Sequence, residues 1–133
     1  MSFEMTELLR RRAESFLRNA YDLMESGVWD LAMFNLEQYC QLILKYLLLT
    51  LKGNYPPTHS LRKLIREISE FDKDALKLIE DMRNLHYIAR LEEAYISSRY
   101  LPYTYEENEV RDIGRFVKEV FRPVIEEIRR KAT

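Results

Sequence analysis

The stretch WDLAMFNLEQYCQLILKYLLLTL, residues 29–51, decides the fold. Ala32, Leu36, Tyr39, Ile43 and Leu47 recur at three- and four-residue spacing and form one stripe, while Leu31, Phe34, Leu42, Leu44 and Leu48 fill other faces. A helix apolar nearly all round is central to its domain, or turns one side to another subunit. Glu37, Gln38, Gln41 and Lys45 interrupt it and need partners, and an arginine is the ordinary one for Glu37. The longest apolar run, Tyr46 to Leu49, soon meets Thr50 and Lys52, far short of the roughly 20 residues that cross a bilayer.

Upstream, Ala13, Phe16, Leu17, Ala20, Leu23 and Met24 make residues 4–25 a one-sided helix, with Arg10, Arg11, Arg12 and Arg18 turned elsewhere. Ser26-Gly27 ends it, and Asp30 is placed to cap the central helix. Downstream, residues 52–57 combine Gly53 with Pro56 and Pro57 and break the chain. Thr58 or Ser60 then caps a short helix over 60–70. Asp72 caps a helix running to about Ser97, with Ala75, Leu78, Ile79, Met82, Leu85, Ala89 and Ile96 as its core stripe. On that wheel Ile88, Leu91 and Tyr95 form a separate face that wants a second partner. After the aromatic loop around Pro102, residues 107–131 carry a single apolar stripe, with acid at the start and Pro123 as a kink or a tolerated gap.

These segments predict an all-α fold: an antiparallel up-and-down bundle of four long helices with one extra short helix, five in all, as a single domain over 1–133. Only 3 Gly and 4 Pro among 133 residues argue against a turn-rich sandwich or barrel. A net charge of −1 excludes attachment to nucleic acid by bulk positive charge, so any anion site is local. One cysteine, Cys40, excludes an internal disulfide and suits the core of a protein in a reducing, cytoplasmic setting. Only two histidines, no HExxH and no phosphate-cradling glycine loop leave no metal site and no cofactor to expect.

Three groups of residues can carry chemistry. His86 stands between Arg83 and Arg90 at helical spacing; an imidazole beside guanidinium groups can hold a phosphate and take a proton from a ribose hydroxyl, or can be a solvated helix edge. Arg99, with Tyr100, Tyr103 and Tyr105, offers a fork for phosphate and ring faces for a base, or packs a loop or a dimer interface. Lys45 and His59 are further ligand-binding candidates.

The order of several pieces resembles one family. Phe16-Leu17-Arg18-Asn19-Ala20, Ser26-Gly27-Val28-Trp29-Asp30-Leu31-Ala32, Asn35-Leu36-Glu37-Gln38, Lys45, Pro57-Thr58-His59-Ser60-Leu61 and Ala94-Tyr95-Ile96-Ser97-Ser98-Arg99-Tyr100 together resemble a HEPN domain (higher eukaryotes and prokaryotes nucleotide-binding) over about residues 8–128. The resemblance implies a helical bundle that dimerises and partners a minimal nucleotidyltransferase in a two-component, toxin-antitoxin-like system. Many members are ribonucleases with an Arg, four to six residues, then a His. Here Arg99 matches the arginine, and Tyr105 stands where the histidine belongs. Tyrosine titrates near 10 and is a poor proton shuttle at neutral pH, so the expected protein is non-catalytic. It is a homodimer binding a nucleotide or another phosphate-bearing ligand at Arg99, Tyr100, Tyr103, Tyr105, Lys45 and His59, with a loop at 98–106 that orders on binding. The alternatives are a metal-independent endoribonuclease toxin using Arg83, His86 or Arg99, with RNA as substrate, and a purely structural interaction module.

Overall fold

A computed structural model describes residues 2–100 and 104–132, which form six helices rather than the five expected. Helix α1 spans Phe3–Glu25 and α2 spans Trp29–Lys52. Between them Gly27 has φ +73°, and its N–H and that of Val28 reach back to the carbonyls of Met24 and Leu23. This left-handed turn ends α1 and starts α2 at once, because only glycine takes that φ without strain. It leaves Asp30 inside α2, two residues past the cap position. The cap is Val28 without a side-chain bond, and Asp30 Oδ1 instead accepts the backbone N–H of Tyr105 at 3.0 Å.

Gly53, at φ +82°, closes α2, and α3 spans Leu61–Ser69. The cap of α3 is Ser60, whose Oγ accepts the Lys63 N–H. A 3-10 turn over Lys73–Leu76 runs into one α-turn over Lys77–Glu80, together α4, capped by Asp72 as expected.

The expected continuous helix from Asp72 to Ser97 is broken at Asp81, which is extended at ψ 123°. Its Oδ1 accepts the Asn84 N–H and restarts the chain as α5, Met82–Tyr100. A break resets helical phase, so the expected core stripe is wrong beyond it. Ile88, Leu91 and Ala94 are buried, whereas Met82 is 77% and Ile96 43% exposed. The face thought to need a second partner is the one that meets α2.

Helix α6 comprises Glu107–Phe116, a π-turn over Val117–Phe121 and Arg122–Ala132. Pro123 has no N–H for the Glu119 carbonyl and crowds it. The chain widens there, with the Arg122 N–H reaching the Val117 carbonyl, so the proline is absorbed within a continuing helix.

Cross-helix partners fix the directions. Tyr21–Gly114 and Glu14–Arg122 run α1 opposite to α6, Tyr87–Asp112 and Arg90–Glu109 run α5 opposite to α6, and Tyr39–Phe121 with Tyr46–Arg129 run α2 along it. The core collects around α2, whose Leu36, Tyr39, Cys40, Ile43, Leu44 and Leu47 are wholly buried. No helix of the described residues is long and apolar enough to cross a membrane.

Candidate functional site

On α2, Phe34, Gln38, Gln41 and Lys45 fall at spacings of four, three and four, so they line one side, with Glu37 beside them. That side meets the last turns of α5 and the connection from Gly53 to Ser60. Glu92 secures the connection: its Oε1 accepts the Ser60 hydroxyl at 2.9 Å and the Arg62 N–H at 2.8 Å, and its Oε2 accepts the Arg62 guanidinium. His59 is thereby held against α5, stacked on Tyr95 with ring centroids 4.3 Å apart and planes 8° apart.

Arg99 lies one turn beyond Tyr95. Two of its N–H groups donate to the Tyr95 carbonyl, at 2.7 and 3.3 Å. Its guanidinium carbon sits 4.4 Å from the Phe34 ring centre, 4.7 Å from Tyr100 and 5.0 Å from Tyr95. Three ring faces hold the cation in place while it remains exposed, and no carboxylate among the described residues forms an ion pair with it. On the other flank, the Lys45 amine lies 5.3 Å from the Tyr55 ring and donates to Gln41 Oε1 at 2.9 Å.

Beneath both cations is Glu37, with no exposed surface. It makes no arginine salt bridge. Gln38 donates to its Oε1 at 2.8 Å and Gln41 to its Oε2 at 2.7 Å. Burial pushes the carboxyl up to about 7, against the opposing pull of those two hydrogen bonds and of the Arg99 and Lys45 charges. Burial in turn pulls the Lys45 amine down, with Glu37 opposing.

The structure thus brings Arg99, Tyr100, Lys45 and His59 to one side of the molecule. Tyr105 does not join them as a ligand-facing ring: it is 3% exposed, its hydroxyl is 2.6 Å from Ser97 Oγ and Arg90 lies 5.0 Å from its ring. Tyr103 lies outside the described residues. Residues 98–100, expected in a loop, continue α5.

Arg83 and His86 sit at the opposite end of α5. His86, Arg90, Glu109 and Asp112 line a cavity of about 240 Å3, and Arg83, Tyr87, Asp112 and Arg115 line another of about 320 Å3. Tyr87 donates to Asp112 at 2.7 Å on the wall common to both. Arg90 is engaged by Glu109 and Glu93, each at 2.6 Å, so the expected pair of arginines around His86 is not free to grip a phosphate. Thirteen residues of helix, about 20 Å, separate His86 from Arg99. Among the described residues, no three His, Cys, Asp or Glu side chains are grouped to hold a metal ion.

Sequence reasoning missed Phe34, Tyr55 and Tyr95 as members of the site. The signal for Tyr95 was its position four residues before Arg99, where a ring and a guanidinium meet on one helix face. A family model for the HEPN domain matches residues 6–128. No curated protein matches the chain.

Proposed function

The chain belongs to the HEPN domain family, and from that premise we propose that it binds a nucleotide or another phosphate-bearing ligand on the side formed by α2 and α5. Membership supports a nucleotide- or RNA-related role in general. The observation that carries the narrower reading is Arg99, an exposed guanidinium held by three rings that makes no ion pair among the described residues, the nearby Glu37 carboxyl being buried and raised to about 7. Its N–H groups not turned to Tyr95 pair with a phosphate, Lys45 adds a second positive charge, and Tyr100 offers a face for a base. The ligand is bound rather than turned over: Tyr105, where the family's histidine would stand, is buried against Ser97, and burial raises its hydroxyl pKa further from neutrality.

The same reading places the protein in a homodimer beside a minimal nucleotidyltransferase, in a toxin-antitoxin-like system. Val28 and Leu31 at the start of α2, with Ile96 near the end of α5, are exposed and supply an apolar surface for a second copy. Calorimetric titration with ATP and with a short RNA, for wild type and Arg99→Ala, tests the ligand site. Size-exclusion chromatography tests the dimer.

A further inference from the structure

Arginines on α5 and α6 are mostly taken by acids, as Arg90 is by Glu109 and Arg130 by Glu127. The middle of α1 differs. Glu7 is occupied by Arg10 at 2.8 Å, and Glu14 by Arg122 of α6 at 3.1 Å. Arg11 and Arg12 are exposed, and their side chains meet no acid among the described residues. Arg18, also exposed, donates only to the neutral Ser15 hydroxyl, at 3.0 Å. Arg11, Ser15 and Arg18 fall on one face at spacings of four and three, along a shallow depression of about 420 Å3 that is also lined by Arg10 and Glu14, each already in its ion pair. A chain of net charge −1 therefore concentrates unneutralised guanidinium groups on two turns of one helix.

From this we propose that the exposed face of α1 binds the phosphate backbone of a single-stranded RNA, with Arg11 and Arg18 on phosphates and Ser15 between them. Arg11 and Arg18 are about 10 Å apart along the axis, near enough for both to meet phosphates of one strand. Among the described residues no aromatic ring lines the depression, so the contact is to backbone and carries no sequence preference. The choice of RNA as the polyanion rests on the RNA-related reading above. The face itself is independent of Arg99.

The test is fluorescence anisotropy of a labelled single-stranded oligouridylate with the full chain, between about 50 and about 200 mM salt. Wild type, Arg11→Gln/Arg18→Gln, Arg99→Ala and an Arg111→Gln control are compared; glutamine keeps helix propensity, so α1 is retained. The expected result is at least about tenfold weaker binding at low salt for the α1 double variant. The slope of log K against log salt falls by about 1.4, or roughly 0.7 per lost phosphate contact, while the control matches wild type. Retained binding with an unchanged slope in the double variant overturns the proposal, as does an absence of wild-type binding at low salt. Loss in Arg99→Ala alone overturns it while leaving the α2–α5 site standing. Loss in the double variant alone supports it and counts against RNA at Arg99.

Discussion

The guanidinium of Arg99 lies 4.4 Å from the centre of the Phe34 ring, so the last turn of α5 is joined to the second turn of α2 by a cation on an aromatic face. An exposed contact of this kind contributes about 0.5 to 1 kcal/mol, too little to hold the two helices together. Ile88, Leu91 and Ala94 do that from the core. The role left for Phe34 is to fix where the charge stands.

Arg99→Ala should therefore cost at most about 1 kcal/mol of stability while removing nucleotide affinity. Phe34→Leu should keep the fold and weaken the same affinity by several-fold, because the cation remains but loses a ring that orients it. Denaturant unfolding set beside titration separates the two effects.

Glu37 gives a pH signature. Its carboxyl titrates near 4.3 in the unfolded chain and at about 7 in the folded one, so between those values the folded state holds the extra proton. A group raised in this way makes stability fall as pH rises through the window. Glu37→Gln removes the titration and keeps the shape. Relative to wild type it should gain stability from about pH 5 to about pH 7 and level off above that, by up to about 3 kcal/mol. Parallel urea curves at several pH values check this, and a difference independent of pH would contradict it.

Glu92 anchors the connection that carries His59. Glu92→Ala leaves the Ser60 hydroxyl and the Arg62 N–H without their acceptor, at a cost of about 1 to 3 kcal/mol. Hydrogen exchange across residues 54–60 should quicken relative to the rest of the chain. Ligand affinity should fall only if His59 takes part in binding.

Much of this fold is legible in the sequence because its signals are local. Gly27, Gly53 and Ser60 mark boundaries by their own backbone or side-chain chemistry. The break at Asp81 is not local in that sense. Apolar residues recur at helical spacing before and after it, and an aspartate within such a run reads as a surface acid until its capping bond to Asn84 is seen. One residue of extended chain then turns the wheel and exchanges the buried face for the exposed one. Glu37 was misread for a related reason: its partners are amides of its own helix, where a buried carboxylate suggests an arginine. Arg99 and Tyr100 stood out by local composition, but two of the rings on Arg99 come from Phe34 and Tyr95, and only packing shows that α2 supplies one of them.

That exchange is itself testable. Ile88→Ala should cost about 2 to 5 kcal/mol as a core truncation, whereas Met82→Ala should stay within about 0.5 kcal/mol. The unbroken helix read from the sequence demands the reverse order.

His86 lies about 20 Å along α5 from Arg99, so His86→Ala and Arg83→Ala should leave nucleotide binding unchanged. An RNA-cleaving activity abolished by His86→Ala would move the function to the other end of the helix.

The central claim is tested most directly by calorimetric titration of wild type and Arg99→Ala with ATP and a short RNA, each first passed over a sizing column. The account predicts saturable binding by dimeric wild type and none at this site by an equally dimeric Arg99→Ala. Equal ATP binding by both proteins, or no ATP or RNA binding by wild type, would contradict it.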